Sequence, residues 1–297
     1  MEDLKIYPVK DEEQIMRGGK ILNPILPKPA AQLLLIAPVK TGKSTIISNL
    51  LLRDSMYKGY FTGGTHFISP TINLDKTSRY IRDHPDINTY DEYSDELMEA
   101  IIQFQKERED DLPVCIVLDD ILGVIKQGSV ATKFSSRYRH HGVDLLVWSI
   151  QKYTQDLPPV IRMNATDVII GSPFPNQKEL GKIFEEFGDM YMGEDNLRKL
   201  YNEATPNKHD FLYLKLSENP PEAFSCFEKQ IYPKKQVVAK DMDIKEIRTE
   251  DDVEEDKVKE GLKQIKKNED KLVRRRRNLK SNLLGGGGNS VGKSITR

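Results

Sequence analysis

Short apolar runs alternate with amphipathic stretches between residue 31 and about residue 232. The runs predict strands at Gln32–Ile36, His66–Ser69, Val114–Leu118, Leu145–Ile150, Val168–Ile170 and Phe211–Leu216. The stretches predict helices at Lys43–Arg53, Asp95–Glu109, Ser129–His140, Gln177–Phe187 and Asn196–Ala204. Several of the runs are almost wholly aliphatic, which is typical of parallel strands buried on both faces. The pattern therefore predicts an α/β fold, with a mostly parallel sheet covered by helices on both faces.

Composition adds limits to this picture. The chain has 297 residues, 38% of them hydrophobic, and a formal net charge of -1, so no overall field indicates a nucleic-acid partner. Its two cysteines, Cys115 and Cys226, have no CxxC partner and indicate reduced thiols in a cytosolic protein. No apolar run approaches the ~20 residues of a membrane span, and the N-terminus lacks a signal-peptide core. We therefore expect a soluble intracellular protein without a membrane span.

Shifts in composition divide the chain into three parts. Residues 1–30 are polar and rich in proline, and they predict an N-terminal arm. Residues 31–232 carry the strand and helix pattern and predict the folded domain. Residues 233–297 begin with an acidic block, Asp241–Asp256, followed by a basic stretch, Lys257–Lys280. With few large apolar residues to bury, this C-terminal tail is expected to be largely disordered.

The first strand candidate runs into a loop that has the form of a phosphate-binding loop. The loop follows the strand at Ala37 and leads at once into a helix pattern with Ile46, Ile47, Leu50 and Leu51, as the motif requires. We predict that its nucleotide-binding residues are Pro38, Val39, Lys40, Thr41, Gly42, Lys43, Ser44 and Thr45. The backbone N–H groups and the helix N-terminus would surround the phosphates. Lys43 would reach the β- and γ-phosphates, and Ser44 would bind Mg²⁺.

A second match to the same motif lies at the end of the chain, at Gly287–Ser294. It is the more complete match by pattern, but no strand precedes it and three residues follow it. Without a strand and a helix, such a loop cannot hold its amides in a converging arrangement. We interpret it as a chance match in the tail.

Two further strands predict the remaining parts of a hydrolytic site. The strand Val114–Leu118 ends in Asp119, which would bind Mg²⁺, and Asp120, which would orient or deprotonate the attacking water. The strand His66–Ser69 lies in the sequence between the loop and these acids, as is typical of ATPases of the additional-strand class. Gln151 ends the next strand and would sense the γ-phosphate.

Arginines near these elements are candidates for the stabilisation of transition-state charge across a subunit interface. Arg139 precedes the strand that ends at Gln151, and Arg162 lies further along in Leu157–Asn164. The alternative interpretation, a surface arginine on a helix, stays open for both residues. We select Arg139 first.

Taken together, these residues resemble the genome-packaging ATPases of large eukaryotic DNA viruses and virophages, the poxvirus-type branch of the FtsK–HerA superfamily. The resemblance covers roughly residues 31–217. It rests on the ordered set Ala37–Ser44, Phe67–Thr71, Val114–Asp120, Arg139–His140, Trp148–Gln151 and Leu157–Ala165. The departures are Ala37, where glycine is usual, and Asp120, where many relatives have glutamate.

The resemblance implies a RecA-like P-loop NTPase that uses ATP and Mg²⁺. It implies a homo-oligomeric ring around double-stranded DNA, with active sites at subunit interfaces, that pumps DNA into a preformed capsid. We expect a capsid or vertex protein as partner, and a location at virus assembly sites in the host cytoplasm or nucleus, or in the virion. DNA contacts would be directed at phosphates and sequence-independent, with Lys126, Gln127 and Lys257–Lys280 as candidates.

Other interpretations remain open at this point. Arg274–Arg277 in the basic stretch could equally be a nuclear import signal. A HerA-like cellular or plasmid translocase or helicase would share the same site residues. A nucleotide-bound adaptor for DNA or capsid, without turnover, would share the loop alone, with Asp120 too short for hydrolysis.

Overall fold

The computed structural model describes residues 20–121 and 123–233. These residues form a nine-stranded sheet whose strands lie in the order β3-β2-β4-β5-β1-β6-β7-β8-β9. The strands are β1 Ala31–Ile36, β2 Thr65–Ile68, β3 Ile87–Tyr90, β4 Val114–Asp119, β5 Val143–Ile150, β6 Asp167–Gly171, β7 Phe211–Lys215, β8 Glu222–Ser225 and β9 Lys229–Tyr232. The first six pair in parallel, and the last three continue the sheet in antiparallel pairs.

Helices connect the strands and cover both faces of the sheet. They are α1 Lys43–Leu52, α2 Arg79–Arg82, α3 Asp95–Glu107, α4 Val130–Ser135, α5 Tyr153–Asp156, α6 Pro159–Met163, α7 Gln177–Phe187 and α8 Glu194–Ala204. Short 3₁₀ helices occupy Tyr138–His141 and Gly188–Tyr191. No helix among residues 20–121 and 123–233 is long and apolar enough to cross a membrane.

The core lies on both faces of the central strands. Every residue of β1, β4, β5 and β6 is buried. Alternate residues of β1 enter different clusters: Leu33 and Leu35 pack with α1, and Leu34 and Ile36 pack with α7 and α8 on the other face. This confirms the predicted α/β class, with a mostly parallel sheet covered on both sides.

All six predicted strands are present, with small differences at their ends. One inference about their order was wrong, because the strand inserted between the loop strand and the acidic strand is β5, not the predicted His66–Ser69 strand. That strand, observed as β2, pairs with the far edge of β4. The additional-strand arrangement is therefore present, but it is formed by the strand that ends beside Gln151.

The helix predicted at Ser129–His140 is divided. The α-helix ends at Ser135, and a 3₁₀ helix follows at Tyr138–His141. The hydroxyls of Ser135 and Ser136 donate to the carbonyls of Thr132 and Lys133. Such bonds compete with the helical ladder and weaken a helix near its end.

Part of the predicted arm packs against the domain. Leu26 is buried, and the ammonium of Lys20 donates to the carbonyls of Asp54, Met56 and Lys58 at 2.7 to 2.8 Å. The rest of the arm, residues 1–19, and the tail beyond residue 233 lie outside the described residues, as does the second loop match at Gly287–Ser294.

A close approach between β1 and β6 explains how the loop tolerates alanine in place of glycine. A Cβ built on Gly171, the last residue of β6, would lie 2.6 Å from the Cβ of Ala37. Two carbon atoms at that distance would overlap. The missing side chain of Gly171 therefore leaves room for the methyl group of Ala37. Gly171 and Ala37 thus form a complementary pair.

We predict that Gly171→Ala lowers the free energy of unfolding by about 1–3 kcal/mol through overpacking. Adding Ala37→Gly should restore part of this loss, so that the double variant unfolds at a higher temperature than Gly171→Ala alone. Gly181→Ala is the matched control, because a Cβ there meets nothing within 4 Å and alanine favours the helix. Additive effects of the two substitutions would contradict the pairing.

Candidate functional site

The predicted phosphate loop joins β1 to α1 at the carboxyl edge of the sheet. Gly42 caps α1 with a φ of 100°, which glycine adopts readily, and α1 begins at Lys43. The first turn of α1 carries no acidic side chain, so its positive end is not neutralised by the helix itself. Thr41 Oγ1 donates to the carbonyl of Pro38 at 2.5 Å and closes the loop from within. The local geometry is suited to an anion such as a phosphate.

Lys43 lies at the centre of the site. Its side chain is 7% exposed, and its ammonium donates to the carbonyl of Ala37 at 3.2 Å. It also pairs with Asp120 Oδ1 at 3.0 Å. A buried ammonium needs such a counter-charge, because leaving it unpaired costs several kcal/mol. These two contacts hold the ammonium of Lys43 beside the loop.

Asp120 links the start of α1 to the residue that follows β5. Its Oδ1 accepts a hydrogen bond from Gln151 Nε2 at 3.0 Å, in addition to the contact with Lys43. Its backbone has a φ of 51°, a left-handed conformation that aspartate adopts more readily than most residues. The backbone N–H still donates to the carbonyl of Ser149. Three predicted residues from three separate elements therefore meet at one carboxylate oxygen.

Asp119 is buried behind this group. It is 3% exposed, and its Oδ2 accepts a hydrogen bond from Ser69 Oγ at 3.0 Å. Its Oδ1 has no hydrogen-bond partner among the described residues. Burial raises the pKa of Asp119 to about 6, with the charge of Asp120 adding to the increase and Ser149, Lys43 and Ser69 opposing it. A buried carboxylate oxygen without a partner fits a ligand to a hard cation.

Ser44 and Asp119 supply the oxygen ligands that Mg²⁺ prefers. Ser44 lies near Asp75, which follows β2. Partial burial raises the pKa of Asp75, but hydrogen bonds from Thr77, Ser44 and Ser78 outweigh burial and lower it. The donor set present, a hydroxyl and a carboxylate with a free oxygen, is compatible with the predicted ion.

The outer residues of the loop are accessible. Val39 and Lys40 are exposed, and Lys40 has a φ of 63°. Thr45 is exposed at the start of α1, whereas Thr41 is buried. Because its side chain is exposed, Lys40 stays a candidate for contact with a phosphate.

The two arginine candidates lie away from the loop of their own chain. Arg139 is exposed in the 3₁₀ helix before β5. Its neighbour Tyr138 donates to the carbonyl of Ala30, just before β1, which places this helix at the amino edge of the sheet. The eight residues of β5 separate that edge from Gln151 by about 26 Å. Arg139 cannot reach its own loop from this position.

Arg162 is engaged within its own chain. Its guanidinium pairs with Glu186 and lies over the ring of Tyr153, 4.9 Å from the ring centre. The carbonyl of the adjacent Ile161 accepts from Gln32, near the start of β1, so this arginine also lies toward the amino edge. Its contacts are those of a residue that fixes α6 against α7.

Three residues of the site were missed in the sequence. Ser69 holds Asp119, Asp75 contacts Ser44, and His209 Nδ1 would lie 3.6 Å from a Cβ at Gly42. Ser69 is the last residue of the strand predicted at His66–Ser69, so its place at the carboxyl edge of a parallel sheet was a usable signal. Asp75 and His209 lie in loops whose path no local pattern predicts.

No protein-family model matches the chain, and no protein of curated function matches it. Solved structures of similar fold include the genome packaging NTPase B204 from Sulfolobus turreted icosahedral virus 2, at 16% identity and a TM-score of 0.48, covering 66% of this chain and 96% of that one. Another is the pCW3 conjugation coupling protein TcpA, at 11% identity and a TM-score of 0.42, covering 62% of this chain and 57% of that one. A third, the cytoplasmic domain of the Thermomonospora curvata type VII secretion ATPase EccC, has 14% identity and a TM-score of 0.37, covering 50% of this chain and 20% of that one.

The fold is that of an additional-strand P-loop NTPase. In this class a further strand separates the strand before the phosphate loop from the strand that ends in the acids, and β5 lies in that position between β1 and β4.

The raised pKa of Asp119 predicts that the ionised carboxylate lowers the stability of the folded chain. The folded-state pKa is about 6 and the ordinary value is 3.8, so the folded chain holds more protons between those values. The stability that this group contributes is complete below the ordinary value and is lost as the pH rises through about 6. At neutral pH the ionised carboxylate therefore destabilises the nucleotide-free protein.

Asp119→Asn should raise the melting temperature of the nucleotide-free chain by roughly 3–6 °C at pH 7.5, and by less toward pH 4. Thermal unfolding across this pH range measures it. Asp120→Asn is the control, because it removes the partner of buried Lys43 and should give no such gain. An Asp119→Asn chain less stable than the parent at pH 7.5 would refute this account of the site.

Proposed function

We propose that this protein is an ATP-driven translocase that packages double-stranded viral DNA into a preformed capsid. The observation that carries the proposal is the meeting of Lys43, Asp120 and Gln151 beside a phosphate loop, with Asp119 behind them. A loop alone binds nucleotide. A loop with an acid and an amide aimed at the same point has the groups for hydrolysis.

The residues divide the work of hydrolysis. The loop amides and the start of α1 hold the phosphates, and Lys43 leaves Asp120 for the γ-phosphate when nucleotide binds. Asp120 is then free to accept a proton from the attacking water, while Gln151 orients that water. Ser44 and Asp119 would hold Mg²⁺, which would supply neutralisation of the phosphate charge.

The position of Arg139 favours an oligomer over a solitary enzyme. The length of β5, about 26 Å, separates Arg139 from Gln151 at the carboxyl edge of its own chain. The side chain of Arg139 is exposed to solvent. A homo-oligomeric ring would bring Arg139 of one subunit to the loop of the next and complete the site at the interface.

DNA contact in this proposal is made by phosphate-directed residues. Lys126 and Gln127 are exposed in the loop that follows β4, close in sequence to the catalytic acids. A sequence-independent pump needs contacts of this kind, and its affinity should fall with salt. We place the working complex at virus assembly sites in the host cytoplasm or nucleus, or in the virion, with a capsid or vertex protein as partner.

Lys43→Ala should abolish DNA-stimulated ATP hydrolysis, with a loss of at least about a hundredfold, because the γ-phosphate loses its buried counter-charge. Lys293→Ala is the matched control. It removes the corresponding lysine of the second loop match, Gly287–Ser294. The control should keep the parental rate.

Release of phosphate from ATP, with and without linear double-stranded DNA, measures both variants. If the parent chain binds ATP but does not hydrolyse it in the presence of DNA, the motor proposal is refuted and the interpretation as a nucleotide-bound adaptor is favoured. A Lys293→Ala chain that loses activity would show that the second loop is used.

Mixing subunits tests the role of Arg139. Arg139→Ala and Asp120→Asn chains should each be inactive, and an equal mixture should regain activity, because about a quarter of random ring interfaces then join an intact Arg139 to an intact Asp120. Steady-state ATP hydrolysis of the mixture measures the gain.

The control mixture combines Lys43→Ala with Asp120→Asn, two changes in the same half of the site. It should stay inactive, since every interface lacks one of the two groups. If the Arg139 mixture also stays inactive although the chains exchange, Arg139 is not the residue that acts across the interface.

A further inference from the structure

A cavity of about 560 Å³ opens beside the phosphate loop. Gly42 and Thr45, at the start of α1, form one end of it, and it follows α1 past Asn49 to Arg53. Its volume lies within the range of small-molecule sites, roughly 300–1,000 Å³. The cavity is continuous with the loop, but none of the residues assigned to hydrolysis lines it.

The walls come from parts of the chain that are distant in sequence. Phe211 in β7 and Phe227 after β8 form one side, with their ring centres 5.1 Å apart and an angle of 68° between the ring planes. Ile25 and Leu26, from the segment before β1, form another. An aromatic and aliphatic lining of this kind suits a flat, partly apolar group.

The wall before β1 is fixed in place. Lys20 is held by three carbonyls that follow α1, and the hydroxyl of Tyr57 donates to the carbonyl of Pro27. Asn23 Oδ1 accepts from the N–H of Ile25 and shapes the turn that leads into the cavity. The cavity is therefore preformed.

We propose that this cavity holds the nucleobase and ribose of the bound nucleotide, with Ile25 and Phe227 packing on the base. The inference rests on the proposed ATPase function, because it assumes a triphosphate on the loop. Phosphates at the start of α1 leave the nucleoside to extend from the loop, and this cavity begins at Gly42 and Thr45. His209, near Gly42, stands at the junction between phosphates and ribose.

Polar groups at the cavity offer contacts to the edge of a base. Asn49 donates its Nδ2 to the carbonyl of Thr45, and its Oδ1 is left as an acceptor for an exocyclic amine. Glu228 and Asn23 also line the cavity. Stacking on aromatic side chains is worth about 1–3 kcal/mol per base, or roughly fivefold in affinity at the lower end.

Cys226 provides a direct reporter. It lines the cavity, is partly exposed and is not in a disulfide. The chain's other cysteine, Cys115, is fully buried in β4. A thiol reagent should therefore modify Cys226 first, and a base in the cavity should block it.

The experiment measures the rate at which N-ethylmaleimide modifies Cys226 in the full chain, by mass spectrometry. ATP–Mg²⁺ at ten times its dissociation constant should slow the reaction about tenfold, because only the free protein reacts. Inorganic triphosphate, which carries no base, should leave the rate within about twofold at the same saturation. Lys43→Ala should lose the protection by ATP, and Cys226→Ser gives the background from Cys115.

The reverse measurement uses the modified protein. Alkylation of Cys226 should weaken ATP binding at least about fivefold and leave triphosphate binding unchanged, since the adduct occupies the place of the base. The Cys226→Ser chain, treated with the same reagent, should bind ATP as it did before treatment.

Calorimetric titration of ATP separates the two levels of the argument. If ATP binds and Cys226 reacts at an unchanged rate, the base lies elsewhere and the ATPase proposal stands. If triphosphate protects as well as ATP, closure of the loop explains the protection and the base assignment fails. If ATP does not bind at all, the proposed function fails and this inference falls with it.

Discussion

The contact between Lys43 and Asp120 is the constraint around which the site is built. A buried ammonium and an adjoining carboxylate attract strongly, and each would be costly to leave alone. The pair connects the helix after β1 to the residue after β4, across the intervening strand β5. Gln151, at the end of that intervening strand, donates to the same oxygen. Three neighbouring strands thus end at one hydrogen-bonded centre.

A bound γ-phosphate would compete with Asp120 for the same ammonium. The phosphate carries more charge than a carboxylate, and the loop amides converge on its position, so the exchange favours the phosphate. Asp120 would then lose a partner that stabilises its ionised form, just when a proton acceptor is needed. The same contact that holds the empty loop in order therefore also keeps the base engaged until substrate arrives.

The sequence predicted the parts of the site that lie on regular elements. Lys43 begins a helix, Asp119 ends a strand, and Asp120 and Gln151 directly follow strands. Parallel strands bring their carboxyl ends to one edge. The order of the strands was harder, because apolar runs of similar length are interchangeable by pattern. The sequence therefore predicted β2 in the position between β1 and β4 that β5 occupies.

The missed elements have physical reasons. β3 is only partly buried, so it lacks the aliphatic run that marks a central strand. The α4 helix is shortened by serines that bond to its own carbonyls, which helix periodicity does not reveal. His209 reaches Gly42 through a loop with a left-handed residue, and the place of such a loop depends on the packing of β7 against β6.

Strand β5 gives the proposed ring a physical link between adjacent sites. The 3₁₀ helix with Arg139 precedes one end of β5, and Gln151 follows the other. All eight residues of the strand are buried, and it pairs with β1 on one side and β4 on the other. Packed interiors deform little, so a displacement at one end is carried to the other. If Arg139 serves the neighbouring loop, as proposed, β5 links two sites. Gln151 at one end would contact the γ-phosphate of its own subunit, and Arg139 at the other end would act on the loop of the next subunit.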